Sequence, residues 1–308
     1  MSEPNTPFIS VVSPVYGAAE LVDLLVANIS QVLRTLTSSY EIILVDDGSP
    51  DAGWSKIEQN AKRWPQVKGI KLSRNFGQHR AISAGLKFST GQWVVVLDCD
   101  LQDNPLEIPQ MLLKAREGYK IVLAQRNNKK HSRLKIFFSQ VFNRVLTFLT
   151  NLPFDSRIGN FGLYHRDVIT AICQKNDRAY YFPMMVQKVG FRSAILEIEH
   201  QKRPAGESSY SFGKNIKLAA SVLFFNGYNP LQIDISVMLL TGILLVLVNL
   251  YAQNHFPIAT TYTWGIFLLG SVFFLSIIGF NLFKTFGNKR NKPCYQIEKK
   301  VNFKAVII

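Results

Sequence analysis

Cysteine is scarce in these 308 residues: there are three, Cys99, Cys173 and Cys294, far apart and with no CxxC pair. That excludes a disulfide framework and a cysteine-rich zinc site, and it fits a reducing compartment. Negative charge is also short. Asp and Glu number 21 against 35 Lys and Arg, a formal net charge of +14. Such an excess attracts anions: nucleic acid, phosphorylated substrates or an acidic membrane face. The aromatic residues follow core and membrane periodicities and form no stacking platform, so nucleic acid is not the expected partner. The opening MSEPNTPF is polar and acidic, so no signal peptide is expected there.

Charge is missing altogether from two long segments. Residues 235–252 (ISVMLLTGILLVLVNLYA) and 264–283 (WGIFLLGSVFFLSIIGFNLF) carry none. Each is long enough to cross ~30 Å of hydrocarbon as a helix, whereas two uncharged stretches of this length rarely share a soluble core. The loop 253–263 has no Lys or Arg, and 284–292 (KTFGNKRNK) is strongly basic. The positive-inside rule then predicts a two-span hairpin with the loop outside and the tail in the cytoplasm. Residues 1–230 would form a cytoplasmic domain, and 231–308 the hairpin and its tail.

Before residue 230, short β-branched runs alternate with amphipathic stretches. Phe8–Val15, Glu41–Val45, Val67–Leu72, Gln92–Leu97 and Tyr119–Ala124 read as strands. Glu20–Leu36, Ala52–Trp64, Gln78–Phe88 and Leu106–Glu117 carry helical spacing. This order predicts an α/β domain with a mostly parallel sheet and helices on both faces. Two further segments, 132–150 and 212–230, combine apolar helical spacing with basic residues and read as helices lying in an anionic headgroup region. The alternative for the first is a core-packed helix with a solvated basic start.

In parallel sheets ligands bind beyond the carboxyl ends of the strands. Strand one ends in Ser13-Pro14-Val15-Tyr16-Gly17, strand two in Asp46-Asp47-Gly48-Ser49, strand four in Asp98-Cys99-Asp100. Taken alone, DDGS is ordinary turn chemistry. Asp103 or Asn104 can cap a helix whose first position is Pro105. Asp98 and Asp100, however, lie upstream of that cap. In an extended strand end, residues i and i+2 face one way. Two carboxylates on one side suit Mg²⁺ or Mn²⁺, whose coordination shell is usually completed by substrate phosphates.

These pieces, together with RNFGQHRAISAGL (Arg74–Leu86), LDCDLQDNP and RPAGESSY (Arg203–Tyr210), occur in the order seen in family 2 glycosyltransferases. The chain resembles their dolichol-phosphate-mannose synthase and bacterial polyisoprenyl-phosphate branch over most of residues 8–230. The resemblance implies a GT-A fold, Rossmann-like. It implies Pro14 and Tyr16 lining the nucleotide pocket, Asp47 reading base or ribose, and Asp98 and Asp100 holding metal and diphosphate. Gln102 would add an oxygen to the metal shell. Arg203 would meet phosphate oxygens, for which its planar fork is suited. Cys99 and Ser209 fall within the same substrate-binding stretches.

Three departures stand out. Gly17-Ala18 replaces the Asn-Glu usual in relatives, leaving Glu20 as the nearest substitute. Ser209 replaces a Lys, with Lys214 nearby. Asn160 stands where many bacterial relatives carry an acid proposed as base, and Asn cannot take a proton. A lipid monophosphate has its second pKa at about 6, so it is largely dianionic at neutral pH and needs positioning more than a base. Asn160 would then hydrogen-bond an acceptor oxygen or a sugar hydroxyl.

The activity implied is an inverting transfer from a UDP-, GDP- or dTDP-sugar to a polyprenyl (undecaprenyl or dolichyl) phosphate on the cytoplasmic leaflet. The catalytic set would be Asp100, Asn160 and Arg203. The protein would be integral to a membrane, bacterial rather than endoplasmic, with the bilayer and a homo-oligomer as further partners. The competing expectations are a non-catalytic membrane scaffold of the same fold and a family 2 enzyme with a glycan or protein acceptor. The absence of a QxxRW signature counts against a polymer synthase.

Overall fold

The computed structural model describes residues 6–126, 157–174, 181–198 and 295–303, with Arg144, Thr147, Asp155, Gly242, Gly270, Ser271, Leu275 and Gly279 besides. The chain divides into two units, Met1–Asn215 with Pro293–Ile308, and Ile216–Lys292.

In the first unit the strands are β1 (Ile9–Val15), β2 (Tyr40–Asp46), β3 (Val67–Leu72), β4 (Trp93–Val96), β5 (Ile121–Arg126), β6 (Ile158–His165), β7 (Ser193–Ile198) and β8 (Ile297–Val301). The helices are α1 (Ala19–Leu36), α2 (Gly53–Arg63), α3 (Gln78–Phe88), α4 (Ile108–Arg116), α5 (Arg166–Gln174) and α6 (Phe182–Lys188). The first five strands and four helices lie where hydrophobic spacing predicts them. The sheet order is β7-β5-β6-β4-β1-β2-β3-β8. Parallel pairing joins β4-β1-β2-β3, and β5 to β7; β6 and β8 run against their neighbours. The sheet is therefore mixed: six strands share one direction, and β6 is inserted backwards between β5 and β4.

Two apolar layers hold it. Val22, Leu25, Ile29 and Leu33 of α1 pack with Ile9, Val11, Ile42 and Leu44 on one face. Ala81, Ile82 and Ala84 of α3 pack with Val12, Ile43 and Val45 on the other. The small residues of α3 bring it close: a Cβ on Gly85 would lie 2.4 Å from Val12 Cγ1.

β8 lies in the stretch that the sequence predicts to be a tail behind the hydrophobic segments. It is an edge strand with Ile297 and Val301 half-buried and Glu298, Lys299 and Lys300 exposed, an alternation broken by charge as edges usually are. Asn302 fastens its end by donating to the carbonyls of Ala61 and Val67.

In the second unit the described residues are helical. The segments 235–252 and 264–283, the interfacial stretches 132–150 and 212–230, and the basic run 284–292 lie outside the described residues apart from those few isolated positions. Among the described residues no helix is long and apolar enough to cross a membrane.

Candidate active site

The chain visits β1, β2 and β3 in order and then crosses to β4 on the other side of β1. The sheet's switch point is thus between β1 and β4, where such folds open a ligand crevice at the carboxyl edge. The sequence opens it further. The Leu97 N–H donates to Val12 O at 3.0 Å, so alternate residues of β1 turn their main chain toward β4. Pro14 is the next of these and has no N–H to give. The β1–β4 pairing ends at Val12↔Val96, while β1–β2 pairing continues to Val15↔Asp46. Tyr16 stands at the rim, 51% exposed. Gly17 follows at φ +59°, a left-handed turn suited to glycine, and its N–H donates to Ser49 Oγ at 3.3 Å.

Across the crevice, β4 stops at Val96, and Cys99 and Asp100 form a turn. The strand was expected to reach Leu97, with its two carboxylates sharing a side by strand alternation. A turn orients them instead. Gln102 N–H donates to Asp100 Oδ1 at 3.2 Å, and Leu101 between them adopts φ 58°. A left-handed leucine is strained by about 1–3 kcal/mol, and its side chain is buried in the α1-side core, which holds the turn in place. Cys99 also packs toward that core, beside the Tyr16 main chain, and burial first, then Asp98, pushes its thiol up to about 12.

Asp98 is engaged by two side-chain amides. Gln78 Nε2, in the first turn of α3, donates to its Oδ1 at 2.6 Å, and Asn160 Nδ2 donates to the same oxygen at 3.1 Å. The second contact follows from register. Val96 faces Gly162 in the antiparallel β4–β6 ladder, so two residues further on Asp98 faces Asn160. Burial, with repulsion from Asp103, pushes the Asp98 carboxyl up to about 6, against the Asn160 bond. Asp103, wholly buried, pairs with Arg126 at the end of β5 at 3.0 Å. The helix cap falls to Asn104, whose Oδ1 accepts the Leu106 N–H at 3.0 Å ahead of α4.

Asp47 is placed differently. Its two oxygens accept the N–H groups of Phe76 and Gly77 at 2.8 and 2.9 Å, and it is 2% exposed. Burial raises its pKa against those bonds. It shapes the loop between β3 and α3, which passes so close that a Cβ on Gly48 would lie 2.4 Å from the Arg74 carbonyl carbon. Arg203, Ser209 and Lys214 lie outside the described residues. Glu20, in the first turn of α1, is exposed.

The structure therefore gathers Tyr16, Asp98, Cys99, Asp100, Gln102 and Asn160 at the carboxyl edge around the β1–β4 switch point. It turns Asn160 onto Asp98, where an acceptor or sugar contact was expected. Gln78 and Arg126 were missed by sequence reasoning; both stand at the carboxyl edge, and the rule that ligands bind there could have found them.

The donor set has the chemistry of a site for a hard divalent cation. It offers two carboxylates, and among the described residues no group of three or more His, Cys, Asp or Glu could hold a metal ion. One or two carboxylates are what Mg²⁺ or Mn²⁺ takes from protein when phosphates complete its shell.

The family model described as "Glycosyl transferase family 2" matches residues 10–173. The undecaprenyl-phosphate 4-deoxy-4-formamido-L-arabinose transferase of Proteus mirabilis is 32% identical over 313 residues, covering 96% of this chain and 94% of that protein. The enzyme of the same name from Photorhabdus laumondii is 30% identical, covering 95% and 94%. Among solved structures, glucosyl-3-phosphoglycerate synthase from Mycobacterium tuberculosis with Mn²⁺ and UDP-glucose aligns at 16% identity and a TM-score of 0.49, over 71% of this chain and 77% of that one.

Proposed function

The chain belongs to glycosyl transferase family 2, and on that premise we propose that it transfers a sugar from a nucleotide sugar to a polyprenyl phosphate of the undecaprenyl type. The observation that carries this is similarity along nearly the whole chain, at 32% identity, to a transferase named for undecaprenyl phosphate.

Within that reading the crevice between β1 and β4 takes the donor. Tyr16 stands at its rim against the nucleotide, and the loops held by Asp47 and Ser49 form its floor. Asp98, Asp100 and Gln102 would hold Mg²⁺ or Mn²⁺. When bound, such a cation offsets charge on the leaving nucleoside diphosphate. Arg203 would bring a guanidinium fork to phosphate oxygens. The acceptor phosphate is already largely dianionic at neutral pH, with a second pKa of about 6. It attacks the anomeric carbon as the sugar–diphosphate bond breaks, and no residue need remove a proton. Asn160 fits this, since its amide serves Asp98. Inversion at the anomeric carbon is the outcome proposed for this single displacement.

Chain connectivity supports a membrane hairpin. Residues before 216 and after 292 belong to the same unit, and β8 is hydrogen-bonded to β3. Any membrane crossings within 216–292 must then be even in number, as two spans at 235–252 and 264–283 would be. We place the first unit on the cytoplasmic side of a bacterial inner membrane.

The test is a donor screen. Full-length protein in detergent is given undecaprenyl phosphate, a divalent cation and a panel of UDP-, GDP- and dTDP-sugars, and sugar passing into the lipid extract is counted. A lipid-phosphate sugar from one donor class is expected, with 4-deoxy-4-formamido-L-arabinose as the first sugar to try. Absence of transfer from every donor, with or without hydrolysis, would refute the reading.

A further inference from the structure

Asp98 is held by two side-chain amides from elements distant in sequence, and both bind the same oxygen. Gln78 reaches Oδ1 from the first turn of α3 at 2.6 Å, and Asn160 reaches it from β6 at 3.1 Å. Among the described residues no hydrogen bond is made to Oδ2. Each approach is built into the fold. Gln78 arrives because Ala81, Ala84 and Gly85 let α3 lie close on β1 and β2. Asn160 arrives because β6 runs backwards beside β4, in the register that sets residue 160 opposite residue 98.

We infer that Gln78 and Asn160 are positioning residues that clamp Asp98 Oδ1 and present Oδ2 to the divalent cation. This deepens the metal reading above and rests on it. The choice of amides is chemically pointed. A lysine or arginine would fix the carboxylate as firmly, but its charge would repel the incoming cation and compete for the same oxygens. An amide donates a hydrogen bond and carries no net charge, so Asp98 keeps its full charge for the metal. The nearby guanidinium of Arg126 is instead engaged by Asp103 at 3.0 Å. The amides also remove rotational freedom from the Asp98 side chain before the metal arrives. Partners of this kind, one step behind a metal ligand, commonly change metal affinity by about 10–100-fold when lost.

The experiment measures Mn²⁺ binding to the full-length protein in the presence of UDP by electron paramagnetic resonance, with no turnover involved. Gln78→Met keeps the side-chain length and removes the donor. Gln78→Glu keeps the shape and sets an acceptor against Asp98. Gln78 is half-exposed in the first turn of a helix, so both variants should melt near the wild-type temperature. Mn²⁺ should bind Gln78→Met about 10-fold or more weakly than wild type, and Gln78→Glu should also lose affinity, its added charge offsetting only part of the lost clamp. Asn160→Ala should weaken it in the same direction. In transfer assays the loss should appear in the Mn²⁺ concentration giving half-maximal rate, with kcat at saturating Mn²⁺ largely restored. Mn²⁺ affinities of both Gln78 variants within twofold of wild type would overturn the clamp and leave the metal reading standing. No Mn²⁺ bound by wild type with UDP would overturn both.

Discussion

Glu41 and Asp46 sit near the two ends of one strand, β2, and both are buried, at 2% and 0% exposure. Their surroundings could hardly differ more. Glu41, on the amino edge, accepts from Ser10 Oγ at 2.6 Å, from the Thr90 N–H and Oγ1 at 2.7 and 2.9 Å, and from Lys68. Burial opposes its ionisation, but those bonds prevail and hold its pKa below the ordinary value. The network continues outward through the Gly91 N–H to Ser10 Oγ and Arg166 to the Gly91 carbonyl. Asp46, on the carboxyl edge, is met by the Ser49 side chain and by its N–H at a long 3.4 Å, and its Oδ2 has no partner among the described residues. Burial raises its pKa, and Ser49 only partly offsets this. Ser13 Oγ, two residues before Asp46's β1 partner Val15, is also buried with no partner among the described residues. The raised carboxylates Asp46, Asp47 and Asp98 and the left-handed Leu101 all gather on this edge. The amino edge is arranged for stability; the carboxyl edge, where the donor is proposed to bind, carries a strained turn and carboxylates with raised pKa values.

Substitutions at four positions sharpen that contrast, from the largest effect downward. Asp100→Ala should abolish transfer, by at least ~100-fold, since a held cation supplies several kcal/mol to the displacement. Circular dichroism and melting should change little, and chelation should mimic the loss. Glu41→Ala should do the reverse. Removing one partner of a buried ion pair costs about 3–5 kcal/mol, read as a lower denaturation midpoint, while the activity per folded molecule stays at the wild-type level. The pH dependence has a definite sign. Glu41 has a depressed folded pKa, so its contribution is full above its ordinary value and is lost as pH falls through the folded one. Glu41→Gln should therefore flatten acid unfolding.

Gly85→Ala tests the link between packing and site. Its Cβ would meet Val12 Cγ1, so α3 must shift, at about 1–3 kcal/mol, and the Gln78–Asp98 contact should loosen with it. The measurement is the Mn²⁺ requirement alongside the melting curve. Asp46→Asn has the smallest effect and the opposite sign. A raised folded pKa makes Asp46 favourable below its ordinary value and costly as pH rises through the folded one. The neutral isostere should therefore raise the melting temperature at neutral pH, with the gain vanishing toward acid.

Much of the frame was legible from spacing. The 2- and 3.6-residue periods located β1 to β5 and α1 to α4, because each buries a face of its own, and the carboxyl-edge rule pointed at Asp98 and Asp100 before any fold was known. What escaped were pairings between distant segments. Nothing local in 158–165 says that this strand runs backwards, and only its register reveals that Asn160 faces Asp98. IEKKV at 297–301 reads as a charged tail until Gly69 supplies the room for Val301 to seat on β3. Arg126 is one of 35 basic residues until β5 delivers it to Asp103. The turn at 99–101 escaped for a different reason: a left-handed leucine is held by its burial and leaves no propensity signal.

The most direct test of the account is the identity of the product. Full-length protein, undecaprenyl phosphate, Mn²⁺ and the donor selected by screening should yield a lipid whose phosphorus resonance is that of a phosphodiester, with the sugar joined through its anomeric carbon in the configuration opposite to the donor's. A lipid carrying a diphosphate, retention of configuration, or release of free sugar alone would contradict it.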